Sequence, residues 1–168
     1  MDRTPAELDD IDRIERQWRR ERVDLDSSPI QVVGRISRLH WALEERLGRV
    51  FAEYELSRGE FDVLATLRRS GEPFELSAGD LRGSTMVTSG AVTKRVDRLE
   101  RAGLVHRRAA EDDARGRLIQ LTDRGRALID EAIGEHLRNE TRLLSGLTAD
   151  ERAALITLLR KLNETLPG

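Results

Sequence analysis

The stretch from Ser77 to Thr122 constrains the fold more than any other part of the chain. A short amphipathic segment (77–82) is followed by Gly83-Ser84-Thr85, which reads as a tight turn. A longer amphipathic segment runs from about 87 to 102, and Gly103 stops it. Two alternating runs, 104–108 and 117–121, then flank the polar segment 109–116. Two helices joined by a short turn give the outline of a helix-turn-helix, a weak signal by itself because any helical hairpin has it. A hairpin placed directly after the second helix is the wing of a winged helix, and that order is far more specific.

The flanks are helical. Leu8, Ile11, Ile14 and Trp18 recur at helical spacing over about 5–22, and Val32, Ile36, Leu39, Leu43, Leu47 and Val50 do so over 30–53. Ser57 and Glu60 form a capping box that opens a helix reaching about Arg69. Thr122 caps a helix over about 123–144. Thr148 and Glu151 box the start of a last one bearing Leu155, Leu158, Leu159 and Leu162. The expected fold is mainly α with a small β-wing: a winged helix-turn-helix. Its parts are an N-terminal extension helix (1–28), flanking helical regions (29–56 and 123–168) and the winged helix-turn-helix itself (57–122).

Composition narrows the function classes. At 168 residues with 38 % hydrophobic and 36 % charged residues, the chain fits one dimer subunit, with a core completed by a second copy. There is no cysteine, so thiol chemistry and cysteine metal sites are excluded. His40, His106 and His136 fall on separate elements without metal-ligand spacing, and no Gly-rich phosphate loop is present. An enzyme is not expected, and neither is a cofactor. No run reaches the length of a membrane span, and the acidic N-terminus lacks a signal-peptide pattern. The expectation is a soluble, cytoplasmic protein. Net charge is −2, but residues 82–117 carry nine Lys/Arg against five Asp/Glu. That local excess suits a polyanion, and equally an ordinary solvated face.

Several long motifs, in order, resemble the MarR family of bacterial transcriptional regulators. They are 60–64 (EFDVL), 89–100 (SGAVTKRVDRLE), 102–105 (AGLV), Asp113-Ala114-Arg115 ahead of Leu121-Thr122, and Gly125. The chain departs from the family at the wing start, where Ala109-Ala110-Glu111-Asp112 replaces the usual proline. The resemblance implies an intertwined homodimer on double-stranded DNA, with 29–56 and 123–168 as its dimerisation region, 57–122 as its DNA-binding domain, and a palindromic operator whose half-sites lie about one helical turn apart. Repression is the family default.

With Val92, Val96 and Leu99 on the core side, the reading helix turns Thr93, Lys94, Asp97 and Arg101 outward, with Arg98 at the edge. Thr88 and Ser89 fall in its first turn. Thr88, Ser89, Thr93 and Lys94 are expected to reach bases or adjacent phosphates, and Arg98 and Arg101 to hold phosphates. Ser89 as a plain cap and Arg101 as a solvated charge are the bland alternatives. The resemblance implies that Arg115 enters the minor groove, steadied by Asp113, because a narrow groove attracts a guanidinium.

Arg95 lies beside the core face of that helix, where a lone charge is costly without an anionic partner. Asp62 and Arg69 are seven apart and share a helical stripe. With Trp18, on a helix many relatives lack, they resemble the urate-responsive branch of the family. That branch implies an anionic purine held near Trp18, Asp62, Arg69 and Arg95, and a small-molecule effector that releases DNA. The structural alternatives are that Trp18 pins the extra helix and that Asp62 pairs with Arg69 or Arg95. Rival functions are a winged-helix interaction module without DNA binding, and a regulator answering to phenolic or drug-like ligands or to none.

Overall fold

The computed structural model describes residues 8–84, 92–109 and 117–166. Its described elements are α1 (Asp10–Glu21), α2 (Ile30–Glu53), α3 (Arg58–Arg69), β1 (Glu75–Ser77), α4 (Ala78–Ser84), α5 (Val92–Arg101), β2 (Val105–Ala109), β3 (Arg117–Leu121), α6 (Asp123–Leu143) and α7 (Ala149–Glu164). The chain divides into two compact units, Met1–Arg46 and Leu47–Gly168. No helix among the described residues is long and apolar enough to cross a membrane.

In the first unit α1 opens on an Asp9–Asp12 capping box. Ile11 is buried, and α2 meets it with a glycine: a Cβ on Gly34 would lie 3.0 Å from Ile11 Cδ1. Acidic residues at the start of α1 hold cations of α2. Arg35 pairs with Asp9 (3.0 Å) and Asp12 (2.9 Å), and Arg38 with Asp10 (2.7 Å). Glu15 is buried, but its Oε1 accepts from Ser27 Oγ at 2.8 Å and from Arg19 Nη2 at 2.6 Å. The Ser27 hydroxyl foremost, then Arg19, hold this carboxyl below the usual range against the opposing effect of burial.

The second unit is built around α3, which packs against α4, α5 and α6. The expected Ser57–Glu60 box is present, and Val63, Leu64 and Leu67 are fully buried. They meet Leu81 of α4, Val92, Val96 and Leu99 of α5, Ile119 of β3 and Ile129 of α6 in one core. The hairpin is as expected, with β2 antiparallel to β3 and Arg107 opposite Ile119. A third strand, β1, pairs on the other side of β3 with Leu76 opposite Ile119, giving the order β1-β3-β2. At three residues it is too short to show alternation in the sequence. Gly83 and Ser84 do not form the expected turn but continue α4. Ser77 caps that helix as expected, accepting from Asp80 N at 3.0 Å.

Two glycines fix the frame of the reading helix. Gly103, at φ 70°, ends α5: Leu104 N donates to Leu99 O and Gly103 N to Glu100 O, the paired bonds of a left-handed helix stop. Gly125 lies against the backbone where β2 begins. A Cβ there would fall 1.9 Å from the Leu104 carbonyl oxygen, so no other residue fits without movement. Thr122 completes the corner. Its hydroxyl donates to Gly103 O (2.8 Å) and accepts from Gly125 N (2.9 Å), and its amide donates to Leu104 O (3.1 Å).

Large apolar side chains remain outside these cores. On α2 they include Val32, Val33, Leu39 and Trp41, and on α7 Leu155, Ile156, Leu158 and Leu159. α7 contributes no buried residue at all. Apolar faces of this extent mark association surfaces.

Candidate functional site

The solvent face of α5 is the first part of the site. Val92, Val96 and Leu99 anchor the helix, and Thr93, Lys94, Arg98 and Arg101 are exposed. Arg101 Nε donates to the Asp97 carbonyl at 3.2 Å, so its side chain is laid back along the helix. Arg98 is largely exposed but its Nε lies 3.2 Å from Oε1 of Glu60, a buried carboxylate at the start of α3. Glu60 Oε2 meanwhile accepts from Ser57 N at 2.8 Å. The expected contacts Thr88, Ser89, Asp113 and Arg115 lie outside the described residues.

Arg107 of β2 was missed by sequence reasoning. Its guanidinium pairs with both Asp97 and Glu100 of α5, and its amide donates to Glu100 Oε1 at 3.1 Å. Burial works against the charge, yet hydrogen bonding to Asp97 and the charge of Glu100 leave the Arg107 pKa raised. Arg107 therefore neutralises two acids of the reading helix and ties that helix to the wing. A second clamp crosses the sheet. Arg108 of β2 reaches over β3 to Glu75 of β1, with Nε–Oε2 2.7 Å and Nη2–Oε1 2.6 Å. The Arg108 bonds hold the Glu75 carboxyl below its usual range, against partial burial. Nothing in the sequence signals either clamp, because both join residues of different elements.

The expected effector residues fall in both units. Trp18 belongs to the first. It is half-exposed and lines a shallow cavity of ≈ 150 Å³ with Arg22, Leu25, Pro29 and Ile30. Asp62, Arg69 and Arg95 belong to the second. Asp62 is buried on α3, and Arg69 is exposed and donates to the Ser84 carbonyl of α4. Arg95 lies flat over Gly59 at the start of α3, so close that a Cβ there would meet its Nε at 2.2 Å. Its Nη1 is buried and has no hydrogen-bond partner among the described residues. A guanidinium on a helix N-terminus, where the dipole favours anions, is an unfavourable placement unless an anion joins it. No cluster of His, Cys, Asp or Glu among the described residues is arranged to hold a metal.

Comparison with known proteins agrees with this architecture. The family model described as MarR family matches residues 54–116. The HTH-type transcriptional regulator PecS of Dickeya dadantii is 41 % identical over 157 residues, covering 94 % of this chain and 95 % of PecS. A mutant MarR from Escherichia coli, solved in complex with operator DNA, superposes with a TM-score of 0.70 at 28 % identity, over 85 % of this chain and 99 % of that one. BpsR of Bordetella bronchiseptica, whose DNA binding is regulated by 6-hydroxynicotinic acid, gives a TM-score of 0.71 at 26 % identity, over 80 % and 94 %.

Proposed function

The chain belongs to the MarR family of transcriptional regulators, and from that premise we propose that it is a homodimeric repressor released from a palindromic operator by a small anionic, oxygen-bearing heteroaromatic ligand, urate being the first candidate. The observation that carries DNA binding is the chemistry of the α5 surface. Thr93, Lys94, Arg98 and Arg101 point to solvent, while the acids beside them, Asp97 and Glu100, are neutralised by Arg107. Such a face is cationic and slim, as a major-groove element needs to be. Thr88, Ser89, Asp113 and Arg115 are proposed as further DNA contacts on the strength of the family resemblance alone. The exposed apolar faces of α2 and α7 supply the two-fold association that a palindrome asks for.

The effector reading rests on Arg95. It sits on the reading helix, yet its guanidinium leans on α3 with one nitrogen buried and unsatisfied. An anion bound there would satisfy the nitrogen and pull directly on α5. Asp62 and Arg69, on α3 of the same unit, complete the proposed set. BpsR, a structural neighbour, answers to a small aromatic acid, which favours this ligand class. A ligand moves the equilibrium only by binding the free form better than the DNA-bound form.

The test is a titration of the dimer on its own upstream DNA with and without urate. Urate should release DNA, and Arg95→Ala should bind DNA and ignore urate. Release that persists in Arg95→Ala would reject the lever. Binding that neither depends on salt nor prefers a palindrome would reject operator recognition, since phosphate contacts release counterions.

A further inference from the structure

Three buried side-chain atoms among the described residues have no hydrogen-bond partner: Thr66 Oγ1, Arg95 Nη1 and His136 Nδ1. His136 lies apart from the other two. It faces Phe61 and Phe51, at 4.9 and 5.3 Å between ring centroids, and its Nε2 pairs with Glu140. Phe61 is two residues beyond Gly59 and so on the opposite side of α3 from Arg95. Thr66 is on the Arg95 side. Gly59 and Thr66 are seven residues apart, which at 3.6 residues per turn puts them within about 20° on the helix wheel and roughly 10 Å apart along the axis. Buried Asp62 falls between them.

Thr66 differs from two other helical threonines. Thr141 and Thr157 each donate to the carbonyl four residues back, at 2.8 Å to Leu137 O and 3.0 Å to Ala153 O. Thr66 makes no such bond, although it is only 1 % exposed. A buried hydroxyl that forgoes its own helix and finds no other partner is held ready for one that is not always present.

We infer that Thr66 is a specificity-determining contact for the effector, an assignment that rests on the ligand reading above. A planar anion lying along this face of α3 meets Arg95 at one end and the Thr66 hydroxyl at the other. The separation favours a fused two-ring ligand with an oxygen or ring nitrogen at each end.

The experiment measures urate binding by calorimetry on the full chain for the wild type, Thr66→Val, Thr66→Ser and Arg95→Ala. Operator affinity without urate and thermal stability are measured alongside. Valine keeps the shape and removes the hydroxyl. Thr66→Val should weaken urate binding about tenfold, the worth of one buried hydrogen bond. Thr66→Ser should restore most of it, and operator affinity should not change. Unchanged urate affinity in Thr66→Val, with Arg95→Ala impaired, overturns the Thr66 assignment and leaves the ligand reading standing. A clear loss of thermal stability in Thr66→Val also overturns it, because the hydroxyl would then have a structural partner. Absence of urate binding to the wild type overturns both.

Discussion

Arg98 of the reading helix and Glu60 of α3 share one ion pair, at 3.2 Å, in which the acid is buried and the base is not. Glu60 is held by the Ser57 amide and hydroxyl in any case. Arg98 is the mobile partner, free to exchange a carboxylate for a phosphate. Losing Arg98 and losing the Ser57 hydroxyl that holds Glu60 should therefore have different consequences. Arg98→Ala should lower operator affinity and reduce the salt slope by about one, with little change in melting temperature, because exposed pairs contribute little. Ser57→Ala should cost about 1 kcal/mol of stability through the lost cap. Salt-dependent binding isotherms and thermal melts check the pair of expectations. A melting temperature that falls as far for Arg98→Ala as for Ser57→Ala would contradict them.

Arg107 makes a sharper case. Its loss exposes Asp97 and Glu100 as free negative charges beside the DNA. Arg107→Ala should weaken operator binding by more than tenfold at low salt. Arg107→Ala combined with Asp97→Asn should recover part of the loss, because the repulsion goes with the charge. A double variant as weak as the single one would show that Arg107 acts by shaping the helix rather than by neutralising it.

Gly125→Ala should be among the most damaging single-methyl changes in the chain. The added Cβ would strike the Leu104 carbonyl, a backbone atom that cannot rotate away. A loss of at least about 2 kcal/mol is expected from overpacking of this kind. Denaturant unfolding measures it directly, and a neutral outcome would mean the corner is looser than described.

Acid should loosen α1 before the rest. The Glu15 carboxyl is held low by the Ser27 hydroxyl and by Arg19. A depressed folded-state pKa gives stability that is present above the unfolded pKa and fades as pH falls through the folded one. Protection factors of α1 amides, corrected for intrinsic exchange, should fall over that acid range in the wild type. In Glu15→Gln protection should already be lower at neutral pH and change far less with pH. Equal pH dependence in both would remove Glu15 from the account.

Local chemistry made much of this fold legible. The boxes at Ser57–Glu60 and Thr148–Glu151, the Thr122 cap and the Gly103 stop need only residues within one turn of each other, so spacing reveals them. β1 was hidden because three residues carry no period. The α4 end was misjudged because Gly83-Ser84 is turn-like in isolation, whereas the helix anchored by buried Leu81 runs through it. α2 ends at Glu53, and Glu55 just beyond it takes φ 57°, a position where glycine would have been the readable signal. In the site, the outward face of α5 followed from the helical period. The partners of Arg98, Arg107 and Arg108 did not, since each lies on another element. Arg95 was marked as misplaced by the wheel alone, but its rest on Gly59 is a fact of packing.

The corner formed by Thr122, Gly125, Gly103 and Leu104 has a mechanical meaning. Two hydrogen bonds and one close backbone contact join the root of α6 to the end of α5 and the start of β2. There is no slack there for a hinge. When α6 tilts, the reading helix and the base of the wing are carried with it as a rigid jaw. In a paired molecule the jaws would then work like callipers, in which a few degrees at the handle change the gap between the tips while each tip keeps its shape.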